Sequence, residues 1–230
     1  MNSEFAGIKA AIIDLDGTMV DTAPDFLIAL NGMRTELGLV PIDIETVKRF
    51  VGKGTENLLR NVLALDFDAS EIARHFDSAL AAYMRHYLAI NGRHSTVYPG
   101  VREGLQAMRK RGLRLACVTN KPVALAHPLL EQTGLASYFD RIYGGDSLPK
   151  KKPDPYPLLQ VCRDFGLQPA QIVAIGDSSN DALAARAAGC QVLTVPYGYN
   201  HGESVHSIDS DGIVPTLRDA AAMIPALPNQ

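Results

Sequence analysis

The chain has 230 residues, is 47% apolar and 20% charged, and carries a formal net charge of −3. That length supports one substantial core, or one core with a small accessory domain. The near-balanced charge excludes a general attraction to nucleic acid or anionic lipid, so a small anionic substrate has to be held by local cations.

The N-terminal stretch Met1-Asn2-Ser3-Glu4-Phe5 has no basic region leading into a long apolar run, so a secretory signal is not expected. Ala10 to Ile13 reads as a buried parallel strand. It runs into Asp14-Leu15-Asp16-Gly17-Thr18. Side chains two apart on an extended chain share a face, so Asp14 and Asp16 can address one small volume. Gly17 allows a sharp turn after them. Two crowded carboxylates repel, and the pair calls for a shared proton or a bound cation. Read alone, Asp16-Gly17-Thr18 is equally compatible with an ordinary turn.

From Pro24 to Asn91 the pattern is helical. Pro24 opens a helix that runs to Leu37 and stops at Gly38. Asp43 caps a short helix ending at Phe50, and Leu58 to Leu65 forms another. A longer one starts at Ser70-Glu71-Ile72 and ends near Ile90. Beyond Tyr98 helices and strands alternate. Helices are expected over Val101 to Arg111, Pro122 to Thr133, Tyr156 to Phe165, Asp181 to Ala188 and Leu217 to Ile224. Strands are expected over Leu113 to Val118, Arg141 to Tyr143, Ile172 to Ile175 and Val192 to Val195. This alternation predicts an α/β fold with a Rossmann-like, doubly wound parallel sheet. The helical block reads as a small α-helical cap domain, residues 22–94, inserted into a core formed by 1–21 and 95–230.

In open parallel sheets ligands bind beyond the carboxyl ends of the strands. The first strand ends in Asp14-Leu15-Asp16, the second in Val118-Thr119-Asn120, and the one at Ile172 in Gly176-Asp177-Ser178-Ser179-Asn180-Asp181. Between them Lys150-Lys151-Lys152-Pro153 supplies positive charge. Acids, a hydroxyl and a lysine all fall at strand ends or in adjoining loops.

This ordered set resembles the haloacid dehalogenase superfamily of phosphotransferases over nearly the whole chain. Val118-Thr119-Asn120-Lys121-Pro122, Gly144-Gly145-Asp146, Lys151-Lys152-Pro153-Asp154-Pro155 and Tyr197-Gly198-Tyr199-Asn200 are similar to the phosphoglycolate phosphatase branch. The resemblance implies a hydrolase that cleaves 2-phosphoglycolate through an aspartyl-phosphate on Asp14. It implies Asp16 as acid and base, and Thr119 and Lys152 on the phosphoryl oxygens. Gly17, Thr18 and Asn120 would contact substrate. It also implies Mg²⁺ held by Asp14, Asp177, Asp181 and the backbone carbonyl of Asp16. Lys152 is preferred to Lys150 and Lys151 because it directly precedes Pro153.

The substrate carboxylate also needs a cation. Lys53, in Val51-Gly52-Lys53-Gly54-Thr55, is the candidate, although the two glycines can equally just separate helices while Lys53 faces water. A sugar-phosphate phosphatase, for example for an amino-sugar 6-phosphate, shares every core residue. A sugar phosphomutase is disfavoured because Ala23 to Leu30 contains no His, and a dehalogenase because the second acid, Asp16, is present. The expected partner is a small phosphorylated substrate, with no nucleic acid or membrane, acting on a monomer or homodimer. Cys117, Cys162 and Cys190 form no Cys-x-x-Cys pair, which with the N-terminus points to a reducing, cytoplasmic setting.

Overall fold

The structure is a computed structural model that describes residues 5–227. The stretch Met1 to Glu4, read above as lacking a signal, lies outside the described residues.

The chain begins with strand β1 (Ala10–Ile13), the two-residue β2 (Val20–Asp21) and four helices: α1 (Ala23–Glu36), α2 (Ile44–Phe50), α3 (Thr55–Leu63) and α4 (Ala69–Ile90). There follow β3 (Thr96–Val97), α5 (Val101–Lys110), β4 (Arg114–Val118), α6 (Val123–Gln132), β5 (Arg141–Tyr143) and α7 (Tyr156–Phe165). The remainder is β6 (Ile172–Gly176), α8 (Ser179–Ala188), β7 (Gln191–Thr194), β8 (Gly212–Ile213) and α9 (Leu217–Met223).

Among the described residues one sheet has the order β5-β4-β1-β6-β7-β8, and each neighbouring pair is parallel. β1 lies between β4 and β6, where the strand order reverses, which is where such sheets open a crevice at their carboxyl ends. The register brings those ends level. Ile13 pairs with both Cys117 and Ile175. Alternation along the strands separates two layers. Ala11, Ile13, Leu115, Cys117, Val173 and Ile175 pack beneath α5, α6 and α9. Ala10, Ile12, Ala116 and Ala174 pack beneath α7 and α8.

The helices α1 to α4 hold a core of their own, built on Phe26, Leu30, Met33, Leu59, Leu63, Tyr83 and Tyr87. The Asp43 carboxylate accepts from Thr46 N at 2.8 Å, as its N-cap position predicts. α4 starts earlier than the sequence pattern suggested. Asp68 is its N-cap and forms a reciprocal capping box with Glu71, which draws Ala69 into the first turn.

Three features were not anticipated. β2 and β3 pair antiparallel just before α1 and just after α4, and two residues each are too few for a periodic signal. Asp25, fully buried in the first turn of α1, accepts hydrogen bonds from Gly92 N, His94 N and Ser95 Oγ. One carboxylate therefore ties the start of the helical block to the segment leaving it. β8 also escaped the pattern, being two residues that include Gly212. No helix among the described residues is long and apolar enough to cross a membrane.

Candidate active site

β1, β4 and β6 stop side by side, and their next residues converge. The Asp14 amide continues the ladder to Ile175 O at 3.0 Å, which aims its side chain past the sheet edge. One carboxylate oxygen from each of Asp14, Asp177 and Asp181 falls within 4.8 Å of the others. Lys152 reaches this group from the loop before α7. Its Nζ lies 2.8 Å from Asp14 Oδ1 and 2.7 Å from Asp181 Oδ1, and donates to Val118 O at 2.7 Å. All three ammonium donors are thus used.

The acids are held firmly. Asp177 Oδ1 accepts from Thr18 Oγ1 at 2.8 Å, and Oδ2 from Tyr199 N at 2.7 Å. Asp181 Oδ2 accepts from Ser178 N and Oγ across the first turn of α8. Gly17 has φ of 83°, and a Cβ there would run into the Asp177 carboxylate. Only a glycine lets the loop after β1 turn this way and approach β6 this closely.

Electrostatics follow from the crowding. Burial pushes the Asp14 carboxyl up to about 8, with Lys152 opposing the rise and Asp181 and Asp177 adding to it. Burial, then the Asp181 charge, pushes Asp177 up to about 7. Burial disfavours the Lys152 charge, but Asp14 and Asp181 outweigh it and raise its pKa. One ammonium does not neutralise three carboxylates. The donor set is all oxygen, so the trio fits a hard divalent cation.

Asp16 faces a different environment. Its Oδ1 accepts from Thr22 Oγ1 at 2.7 Å and lies 3.1 Å from Lys121 Nζ. It is outside the metal-competent trio of carboxylates. Thr119 is buried, and its Oγ1 accepts from Lys121 N at 3.2 Å. Asn120 Nδ2 donates to Lys152 O at 2.8 Å and to Gly52 O at 2.9 Å, bridging two loops.

A cleft opens between these strand ends and the helical block. Asp14, Asp16, Thr119, Asn120 and Lys121 line its floor, and Phe26, Val51, Leu58 and Tyr83 face them. Asn180 Nδ2 also donates to Gly52 O, at 3.2 Å, so two amides hold this loop against the sheet. Gly52 and Gly54 line the cleft, whereas Lys53 between them is exposed. Burial and the Lys53 charge together lower the pKa of His201. Lys151 is exposed, with its Nζ beside Gly54.

Of the residues the sequence singled out, the fold gathers Asp14, Asp16, Gly17, Thr18, Thr119, Asn120, Lys152, Asp177 and Asp181 around the strand ends and leaves Lys53 exposed. Sequence reasoning assigned nothing to Lys121 or Tyr199, although both stand inside motifs quoted above. The Tyr199 hydroxyl accepts from Thr22 N and Ala23 N and donates to Asp21 Oδ1 at 2.7 Å, while its amide holds Asp177. It joins the acid cluster to the start of α1.

The model of the haloacid dehalogenase-like hydrolases matches residues 8–189. A phosphoglycolate phosphatase of Thiobacillus denitrificans is 48% identical over 217 residues, covering 94% of this chain and 96% of its own. One of Nitrosospira multiformis is 50% identical with the same coverage. The crystal structure of a protein from Haemophilus somnus, described as a predicted phosphoglycolate phosphatase, superposes with a TM-score of 0.86. It is 31% identical, and the match covers 95% of this chain and 98% of that one.

Proposed function

The chain belongs to the haloacid dehalogenase-like hydrolase family, and from that premise we propose that it hydrolyses 2-phosphoglycolate to glycolate and phosphate. The observation that carries this reading is the buried Asp14, Asp177 and Asp181 trio with Lys152 set between Asp14 and Asp181. The phosphoglycolate phosphatases of Thiobacillus denitrificans and Nitrosospira multiformis, similar over nearly their whole length, support the choice of ester.

Asp14 attacks phosphorus in line, the bond from phosphorus to the ester oxygen breaks, and the phosphoryl group rests on the Asp14 carboxylate. Asp16 protonates the departing alkoxide. It then takes a proton from the water that cleaves the aspartyl-phosphate, returning Asp14 and releasing phosphate. The Lys152 ammonium, bonded to Asp14, supplies positive charge beside the phosphoryl oxygens, and the Thr119 hydroxyl and backbone amides near Gly17 and Asn120 donate to them. Thr18 holds Asp177 in place beside them.

Mg²⁺, held by Asp14, Asp177 and the backbone carbonyl of Asp16 with Asp181 behind them, would offset the charge of an anionic nucleophile meeting an anionic ester. Residues 22–94 act as a cap over a core of 1–21 and 95–230. Lys53 contributes positive charge at the cleft rim. The buried, free Cys117, Cys162 and Cys190 fit a reducing, cytoplasmic setting.

Steady-state kcat/KM across a panel of phosphate esters, with Mg²⁺ supplied and then chelated, tests the reading. The expected result is a preference for 2-phosphoglycolate that disappears on chelation. Preference for a sugar phosphate, such as an amino-sugar 6-phosphate, would overturn the assigned substrate while leaving the phosphatase chemistry.

A further inference from the structure

We propose that Lys121 forms a carboxylate-binding subsite of this cleft; the inference rests on the phosphoglycolate reading and names the group that recognises the acid end of that ester. Lys121 is the one cationic side chain among the described residues lining the cleft. Its side chain is only 1% exposed. The ammonium lies 4.4 Å from the Phe26 ring centroid and 4.7 Å from that of Tyr87. The faces of these aromatics favour a cation without consuming its N–H groups.

An ammonium has three donors. One of those on Lys121 points to Asp16 Oδ1 at 3.1 Å and one to the Tyr87 hydroxyl at 2.5 Å. The third has no hydrogen-bond partner among the described residues. Lys152, the other buried lysine of the site, has all three of its donors satisfied and is not among the cleft-lining residues.

The position suits the substrate. With phosphorus against Asp14, the ester oxygen has to lie within reach of Asp16. In 2-phosphoglycolate the carboxyl carbon is two bonds beyond that oxygen. Lys121 is hydrogen-bonded to Asp16, so the carboxylate arrives beside it. Among the described residues no other side chain lining the cleft offers a counter-charge to a second negative group. Asp14 repels it, the Asp16 charge is offset by Lys121 itself, and Phe26, Val51, Leu58 and Tyr83 offer it no charge. Lys53 is exposed, and a solvated lysine holds a carboxylate weakly.

The probes are 2-phosphoglycolate and 2-hydroxyethyl phosphate, which carries hydroxymethyl in place of carboxylate. Wild-type protein should favour the first in kcat/KM. Lys121→Met should reduce that preference by about 10- to 100-fold, mainly through KM for the acid, as loss of a charge-assisted hydrogen bond predicts. Lys121→Arg should restore part of it. An equal loss on both esters, or a preference that survives Lys121→Met, overturns the subsite; equal loss would mean that Lys121 serves Asp16 alone. Should Lys121→Met not fold, Lys121→Gln carries the test. Competitive inhibition by free glycolate, read against p-nitrophenyl phosphate hydrolysis, should then weaken about tenfold or more, and an unchanged inhibition constant overturns the proposal. Failure of the substrate reading shows elsewhere, as a wild-type protein with no preference between the two esters.

Discussion

At the strand ends, polar groups hold one another. Asp14, Asp177 and Asp181 meet Lys152, Thr18, Ser178 and the Tyr199 amide at 2.7–3.2 Å. Across the cleft, the helical block presents Phe26, Val51, Leu58 and Tyr83, together with the carbonyl of Gly52. One side is a charged network in which each group depends on its partners. The other is an apolar wall clamped by two amide donors. The difference teaches where each property resides: reactivity depends on individual atoms of the sheet, and enclosure depends on the shape of the block. Lys121 is where the two meet, since its ammonium touches Asp16 of the core and Tyr87 of α4.

The sharpest way to break the contrast is to substitute on both sides. Asp14→Asn should reduce kcat by about 10⁴-fold or more, as loss of a nucleophile does. Trapping with acid should then yield no aspartyl-phosphate. Leu58→Ala on the opposite wall should alter KM far more than kcat. Comparable kcat losses from the two would sink the division of labour.

Lys152→Met should be next in effect, with kcat lower by about 10³-fold. It also leaves Asp14 and Asp181 without their shared cation. Breaking a buried pair costs about 3–5 kcal/mol, so denaturant unfolding without metal should show a stability loss of that order. Gly17→Ala should act through Asp177, into which the new methyl group would press. Metal affinity by calorimetry should fall roughly 10- to 100-fold.

The pH dependence sharpens the comparison, because the apolar wall contributes nothing to it. Asp14 and Asp177 have pKa values raised to about 8 and about 7 from an ordinary 3.8. The folded, metal-free protein therefore binds protons that the unfolded chain has already lost. Its stability should be greatest below pH 4 as far as these groups are concerned, and should fall as pH rises through 7 and 8. A divalent cation has to displace those protons. Its affinity should weaken on acidification by about tenfold per pH unit for each proton released. Calorimetry in buffers of different ionisation enthalpy counts the protons, and a count of zero would contradict the crowding.

The smallest effect belongs to the clamp. Asn180→Ala removes one of two donors to Gly52 O, and should raise KM by about two- to tenfold with little change in kcat. A kcat loss matching that of Lys152→Met would show that the clamp positions the acids as well.

Much of this was legible beforehand because it is local. The apolar run of Ala10 to Ile13 and its acid terminus need only a few neighbours to interpret. The Asp43 cap lies three residues from the amide it accepts from. Elements of two residues, such as β2 and β8, carry too little pattern to be seen. Lys53 drew attention because a lysine between glycines is a visible local signal. Lys121, equally visible, carried no sign of its surroundings: Asp16 is 105 residues away and Tyr87 is 34.

The order of residues alone dictated the longer strands, the helices and the identity of the acids that end the strands, since side-chain periodicity and turn chemistry act over a few residues. How closely Asp14, Asp177 and Asp181 approach one another, which lysine is buried and which is solvated, and how Tyr199 links Asp177 to α1 came from the folded chain. Those relations depend on parallel strands ending level and on helices closing over them, and no stretch of neighbouring residues encodes the distance between groups more than a hundred positions apart.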